Sequence, residues 1–100
     1  GIAFGYPLTN ALKYIGRNGI IEKNLSRKNL YVTFTPQLLN FSRIIKSYEY
    51  LRKNKITVDD DLEALHLNSY KVRIMKSSPF NVKLTYKSDF DNLINGIQKL

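Results

Sequence analysis

Alternating and helix-spaced apolar residues along the chain predict a mixture of short helices and strands. In residues 8–17, leucine and isoleucine recur at helical spacing with an alanine beside them, which predicts a helix. Residues 19–23 form a short apolar segment. Residues 30–35 are mostly β-branched or aromatic and follow a period of two, so both segments predict strands. We expect these two strands to form a hairpin against the first helix.

The rest of the chain shows the same mixture and contains one ambiguous stretch. Residues 38–51 match the helical spacing in part and the strand alternation in part, and periodicity alone does not decide between them. Residues 56–58 predict a strand, and Asp59 is expected to cap a short helix that ends at Leu65. The remaining patterns predict strands at 71–75 and 81–86 and a terminal amphipathic helix over 90–100.

This order of elements is typical of an α+β fold. We expect two small α/β lobes, each built from a helix and antiparallel strands. The N-terminal lobe is placed at residues 1–38, and the C-terminal, β-rich lobe with the terminal helix is placed at residues 39–100. The chain has 100 residues, of which 43% are hydrophobic, and this is enough for one modest core.

An excess of basic residues favours a polyanionic partner. The chain carries 16 Lys and Arg against 8 Asp and Glu, for a formal net charge of +8. A surplus of this size attracts polyanions, and nucleic acid is the commonest of them. An anionic membrane surface and an inert basic surface are the alternatives to which the charge gives less weight. No apolar run approaches the roughly 20 residues that span a bilayer. We expect a nucleic-acid partner and no membrane.

Residues with catalytic potential are few. There is no cysteine, which excludes thiol chemistry, and the single His66 lies between two leucines, as packed or surface histidines do. The acidic run at residues 59–63 is best explained as the start of a capped helix, because the helix dipole favours acids there. No glycine-rich phosphate loop is present. We expect no catalytic residue, no metal, no cofactor and no small-molecule substrate, and hence a protein that is not an enzyme.

Two clusters of basic residues form the predicted nucleic-acid interface. The span 71–87 contains no acid, and apolar and basic residues alternate on its first strand, so one face would present cations to phosphates. Two serines in the turn after this strand are suited to hydrogen bonds with RNA. The predicted RNA-binding residues are Lys71, Arg73, Lys76, Ser77, Ser78, Lys83 and Lys87 in this span, and Arg43, Lys46, Lys53 and Lys55 in the other cluster.

Several short segments resemble the small-subunit ribosomal protein eight family, in a divergent, organellar form. Residues 7–21 resemble that family's helix and the glycine step into a strand, and Ile74-Met75-Lys76-Ser77-Ser78 resembles its Ile-Leu-Ser-Thr-Ser turn. The other similar segments are 30–34, 43–47, 55–58 and 84–87. The chain departs from the family where Lys76 replaces the first serine and where Pro79 and Phe80 follow the turn.

The resemblance implies a structural component of the small subunit of a mitochondrial ribosome, with ribosomal RNA and neighbouring ribosomal proteins as its partners. By position, Ser77 and Ser78 would contact the RNA, and Lys76 would meet a phosphate. Two alternatives stay open: a protein–protein interaction subunit of a large assembly that docks through its C-terminal helix, and a small DNA-binding regulator. A cytoplasmic location is the alternative to the mitochondrial one.

Overall fold

The computed structural model describes residues 1–81 and 83–99, and it confirms the predicted α+β class. The strands are β1 (Ile2–Pro7), β2 (Leu12–Ile15), β3 (Ile21–Leu25), β4 (Tyr31–Leu38) and β5 (Arg73–Lys76), and the helices are α1 (Phe41–Lys53), α2 (Asp61–Leu67) and α3 (Lys87–Gln98). They form a three-stranded sheet in the order β4-β1-β5 and a separate hairpin of β2 and β3. In the described part of the chain, no helix is both long and apolar enough to cross a membrane.

Strand β1 is the centre of the larger sheet. It pairs antiparallel with β4, where Phe4 lies opposite Phe34, and parallel with β5, where Ala3 lies opposite Ile74. Gly5 permits this close pairing, because a Cβ there would come within 2.6 Å of the Ile74 Cγ2 atom and 3.0 Å of the Val32 carbonyl oxygen. The sheet therefore joins residues from both sides of the predicted lobe boundary at 38/39, and the division into two lobes stays a prediction.

The hairpin predicted between residues 19–23 and 30–35 is wrong, although both segments are strands. The first contains most of β3, which pairs with β2, and the second contains most of β4, which pairs with β1. Strand β1 itself was not predicted. Its apolar residues do not alternate with polar ones, and Gly5 and Pro7 interrupt the run on which strand prediction depends.

The helix predicted over residues 8–17 is also wrong, because part of this segment is strand β2. A turn that contains a short 3₁₀ helix, Arg17–Gly19, reverses the chain into β3. Asn18 and Gly19 both adopt positive φ, at 63° and 72°, and this conformation suits an Asn-Gly hairpin turn. The Gly16 N–H donates to the Ile20 carbonyl at 2.9 Å and closes the turn.

The ambiguous stretch contains most of helix α1. The Asn40 side chain accepts a hydrogen bond from the Arg43 N–H at 3.1 Å and caps the helix start. At the C-terminal end of α1, Lys55 has a φ of 55°, and the Ile56 N–H donates a hydrogen bond to the Leu51 carbonyl at 2.9 Å. Residues 56–58 thus belong to the loop that closes α1, and the strand predicted there is wrong.

Helix α2 packs against α1 and carries most of the core. Its N-cap is Asp60 rather than the predicted Asp59: the Glu63 N–H donates to the Asp60 carboxylate at 2.8 Å. The Asp59 N–H in turn donates to the Glu63 carboxylate at 2.7 Å, so the acidic run does begin a capped helix. The buried apolar residues are Ala3, Leu51, Leu62, Ala64 and Leu65.

The C-terminal predictions hold in part. The strand predicted at residues 71–75 is β5, shifted by one or two positions, and the terminal helix begins earlier than predicted, at Lys87. Of the strand predicted at residues 81–86, Val82 lies outside the described residues, and residues 81 and 83–85 are not in a strand. Leu100 also lies outside the described residues.

Candidate functional site

The segment that follows β5 is anchored at the carboxyl ends of β1 and β5. The Ser77 N–H donates to the Gly5 carbonyl at 2.8 Å and so extends the pairing beyond the strand. Within the next turn, the Ser78 hydroxyl accepts a hydrogen bond from the Phe80 N–H at 3.1 Å. The Lys76 ammonium lies 5.5 Å from the centre of the Tyr6 ring, within the range of a cation–π contact.

From this turn the chain crosses to β4, where the Asn81 side-chain amide donates to the Thr35 carbonyl at 2.7 Å. A cavity of about 470 Å³ opens between β4, the start of α2 and this crossing segment. Its lining residues are Thr33, Phe34, Thr35, Gln37, Asp59, Asp60, Asp61, Asn81 and Lys83. The cavity combines one ammonium, two amides, two hydroxyls and three carboxylates, which is a set of groups suited to a small polar ligand.

Two of the three carboxylates in this cavity already have protein partners. Asp60 caps α2, and Asp61 accepts a hydrogen bond from the Tyr48 hydroxyl. That hydrogen bond, with some burial and the nearby negative charges, raises the pKa of Tyr48 to about 12, so this hydroxyl stays protonated at neutral pH. Lys83 is the one cation among the described lining residues, and an anionic group of a ligand would therefore lie beside it.

The three neighbouring aspartates do not form a metal site. Among residues 1–81 and 83–99, no group of three or more histidine, cysteine or acidic side chains is placed to hold a metal ion. The Asp60 carboxylate accepts a hydrogen bond from the Glu63 N–H, and the Asp61 carboxylate accepts one from the Tyr48 hydroxyl. The two carboxylates are therefore directed to separate partners.

A second cavity, of about 1030 Å³, lies at the amino ends of the parallel strands β1 and β5. Lys71 and Arg73 line it together with His66 and Tyr70, and the Arg43 guanidinium lies 5.4 Å from the Tyr70 ring centre. Ligands of open α/β sheets bind at the carboxyl ends of the strands, and the second cavity lies at the amino ends. The first cavity, which lies along β4 and contains the polar set described above, is therefore the better candidate for the functional site.

The structure does not bring the eleven predicted RNA-binding residues together. Those near the amino ends of the strands are Arg43, Lys71 and Arg73, those at the carboxyl end of β5 are Lys76, Ser77 and Ser78, and Lys83 lines the first cavity. The others are Lys46 and Lys53 on α1, Lys55 just after it, and Lys87 at the start of α3. Which of them contacts a ligand stays a prediction. Asn81, Thr33 and Thr35 were missed, because only the fold brings residues 33–35 beside residue 81.

Residues 1–94 match the family model described as "IspD: 2-C-methyl-D-erythritol 4-phosphate cytidylyltransferase". The match covers nearly the whole chain and includes β4, the start of α2 and the crossing segment, which line the first cavity.

The chain belongs to this cytidylyltransferase family.

Relatives carrying the same name are longer than this chain. The 2-C-methyl-D-erythritol 4-phosphate cytidylyltransferase of Acinetobacter baumannii strain SDF is 31% identical over 85 residues, which cover 85% of this chain and 36% of that protein. The enzyme of Blochmanniella pennsylvanica is 33% identical over 85 residues, which cover 83% of this chain and 36% of that protein. The chain thus spans little more than a third of the relatives' length.

Solved structures of the family share the fold. The cytidylyltransferase of Thermus thermophilus superposes with a TM-score of 0.81 at 15% identity, covering 99% of this chain and 48% of that one. The Francisella tularensis enzyme superposes with a TM-score of 0.76 at 25% identity, covering 99% of this chain and 45% of that one. The cytidylyltransferase fold therefore extends well beyond the part represented by these 100 residues.

The family match overturns the ribosomal interpretation. The resemblance to the small-subunit ribosomal protein family is wrong, and one of its main segments, at residues 7–21, contains a strand of a hairpin where that family has a helix. Ribosomal RNA and ribosomal proteins as partners, and the mitochondrial ribosome as location, are wrong with it. The interaction-subunit and DNA-regulator alternatives have no support either.

The prediction of a protein that is not an enzyme and has no small-molecule substrate is also wrong, since the family is named for an enzyme that acts on a small sugar-alcohol phosphate. The physical error was to equate a charge of +8 with nucleic acid. Phosphorylated small molecules are polyanions as well, and a cationic surface attracts both.

Proposed function

We propose that these 100 residues form the part of a 2-C-methyl-D-erythritol 4-phosphate cytidylyltransferase that holds the sugar-alcohol phosphate. The observation that carries this proposal is the position of Lys83, which lines a polar cavity along β4 in a chain that belongs to this family. The relatives' name supplies the substrate class.

The reaction implied by that name joins two phosphorylated molecules. A phosphate oxygen of 2-C-methyl-D-erythritol 4-phosphate attacks the α-phosphorus of cytidine triphosphate, a new P–O bond forms, and the bond to the departing pyrophosphate breaks. The product class agrees with a solved relative described as 4-diphosphocytidyl-2C-methyl-D-erythritol synthase. Every species in this transfer is anionic, so fixed cations and hydrogen-bond donors must offset the charge.

Four polar groups of the cavity have roles in this proposal. The Lys83 ammonium pairs with the substrate phosphate. The Asn81 amide, held by the Thr35 carbonyl, and the Thr33 hydroxyl offer hydrogen bonds to phosphate oxygens. Asp59 is the aspartate of the cavity whose carboxylate is not assigned to the helix cap or to Tyr48, and we assign it to the hydroxyl groups of the sugar alcohol.

A chimaera tests this function directly. The matched segment of the A. baumannii relative is replaced by this chain, and pyrophosphate release from cytidine triphosphate and 2-C-methyl-D-erythritol 4-phosphate is measured. We expect the chimaera to be active and the substitution Lys83→Ala to lower kcat/KM by about 100-fold, as removal of one charge-stabilising group does.

Lys87→Ala is the matched control, because Lys87 lies four residues further on, at the start of α3, and does not line the cavity. It should change kcat/KM by less than about threefold, the range of an exposed charge. Equal losses in the two variants, or a folded chimaera that releases no pyrophosphate, would count against the proposal.

A further inference from the structure

The segment between β5 and α3 has few ties to the rest of the structure. Its described residues from 77 to 85 contain neither helix nor strand. At one end, the Gly5 carbonyl accepts a hydrogen bond from the Ser77 N–H, and at the other end the Thr85 N–H donates to the Asp89 carboxylate at 3.1 Å. Asp89 belongs to α3, in which no residue is buried, so the second tie leads to a surface helix and not to the sheet.

One hydrogen bond joins the middle of this segment to the sheet. The Asn81 side-chain amide donates to the Thr35 carbonyl at 2.7 Å. Among the described residues, the other hydrogen bonds of this middle part are local, from the Phe80 and Asn81 N–H groups to Ser78. The Asn81 amide is therefore the tie that fixes the segment against β4.

An irregularity of β4 makes the Thr35 carbonyl available for this bond. The register of β4 against β1 shifts after Phe34, so that Thr35 and Pro36 have no opposite residue on β1. Such a bulge takes backbone groups out of the ladder, and bulges are frequent next to active sites. The carbonyl released in this way accepts instead from the Asn81 amide, 46 positions further along the chain.

This tie restricts where the Lys83 ammonium can lie. Lys83 follows Asn81 by two residues, and two residues of extended chain span at most about 7 Å. While the bond holds, the Lys83 backbone stays within that distance of Asn81, beside the cavity that both residues line. Without the bond, the nearest tie to the sheet is at Ser77, and the chain from there to Lys83 reaches about 20 Å.

We propose that Asn81 is a positioning residue for Lys83. Its bond to the Thr35 carbonyl holds the segment after β5 against the bulge of β4 and thereby keeps the Lys83 ammonium in the cavity. An amide carries two N–H donors, so one can hold Thr35 while the other reaches the substrate phosphate. The inference rests on the proposed function for the identity of the ligand, whereas the placement of Lys83 does not depend on it.

Backbone dynamics of the ligand-free chain test this placement. In the isotopically labelled 100-residue chain, we expect the Lys83 amide to have an order parameter near the rigid value of about 0.85, and in Asn81→Ala a value below about 0.6. Asn54→Ala is the matched control, because it removes a bond of the same kind at the end of α1, from a side-chain amide to the Tyr50 carbonyl at 2.9 Å. This control should leave the Lys83 amide rigid.

A double-mutant cycle in the chimaera tests whether Asn81 acts through Lys83. We expect Asn81→Ala to lower kcat/KM about tenfold, because it removes the tie to Thr35 as well as the contact with the phosphate. In the Lys83→Ala background only that contact remains to be lost, so the same substitution should lower kcat/KM about threefold or less. A residue that acted only through its own contact or through folding would give equal losses in both backgrounds.

Three results would overturn the proposal. The first is a Lys83 amide that is already flexible in the native chain. The second is a Lys83 amide that stays rigid in Asn81→Ala. The third is an equal loss of kcat/KM from Asn81→Ala in the two backgrounds. A folded chimaera that releases no pyrophosphate would count against the proposed function, and the order parameter of Lys83 would still decide this inference.

Discussion

The β4-β1-β5 sheet with α1 and α2 differs sharply from the β2–β3 hairpin in how it uses its apolar residues. All buried apolar side chains of the described residues lie in β1, α1 and α2, and the hairpin strands contain none. Yet the hairpin region is rich in isoleucine, with Ile20 at 65% and Ile21 at 57% exposure. Apolar content alone therefore does not tell which part of the chain holds the fold together.

Local interactions hold the hairpin instead. The Asn18-Gly19 turn sets its reversal, the Lys13 ammonium donates to the Asn24 side chain, and the Lys23 ammonium lies 4.8 Å from the Tyr14 ring centre. Each such contact contributes little in water. We infer that the sheet with α1 and α2 determines the global stability and that the hairpin opens independently.

The largest expected effect separates the two regions. Leu65 is 2% exposed, and Leu65→Ala should lower the free energy of unfolding by about 2–5 kcal/mol through lost burial and a cavity. Ile21→Ala in the hairpin should lower it by less than about 0.5 kcal/mol, because more than half of that residue is exposed to water. Urea unfolding followed by circular dichroism measures both, and comparable losses would contradict the division.

A smaller effect tests the turn of the hairpin. Gly19 has a φ of 72° and no atom within 4 Å of an added Cβ, so Gly19→Ala costs backbone strain only, of about 1 kcal/mol. We expect faster amide exchange in β2 and β3 and no change in β1 or β4. Gly96 in α3 is the matched control, since its added Cβ also meets nothing. Gly96→Ala should slow exchange in α3, because alanine favours a helix.

The smallest effect concerns the start of α3. The Asp89 carboxylate accepts hydrogen bonds from the Tyr86 and Thr85 N–H groups, and these lower the pKa of Asp89. A lowered folded-state pKa means that the stabilisation is present above the ordinary pKa, near pH 4, and is lost as pH falls through the folded value. The protection factors of the amides at the first turn of α3, which are exchange rates corrected for their intrinsic pH dependence, should therefore fall on acidification in the native chain. Asp89→Asn should lack this pH dependence, and Asp91→Asn is the control that should retain it.

Local signals in the sequence predicted part of this fold, and two of them were misjudged. The α+β class, most of β3, β4 and β5, the capped start of α2 and the terminal helix follow from periodicity and capping residues. The false helix at residues 8–17 was a misjudged local signal, since its leucine spacing outweighed the Asn18-Gly19 dipeptide, which favours a hairpin. Asn40 as an N-cap was likewise present in the sequence and decides the ambiguous stretch in favour of α1.

The candidate site could not be predicted in this way, because its residues meet only through tertiary pairing. Thr33 and Thr35 come from β4, Asp59 precedes α2, and Lys83 follows the turn after β5. Lys83 was selected from the sequence, but for its charge in an acid-free span and for the wrong polyanion. Charge attracts anions of any kind, and the substrate class proposed above comes from the family relationship.

The most direct test of the proposed sugar-alcohol phosphate site is a titration of the isotopically labelled 100-residue chain with 2-C-methyl-D-erythritol 4-phosphate, followed by NMR. We predict chemical-shift changes that saturate and that centre on Thr33, Asn81 and Lys83. They should be absent with unphosphorylated methylerythritol and in Lys83→Ala, and present in Lys87→Ala. Changes that centre instead on Lys71 and Arg73 at the opposite ends of the strands, or that persist in Lys83→Ala, would contradict the assignment of this cavity.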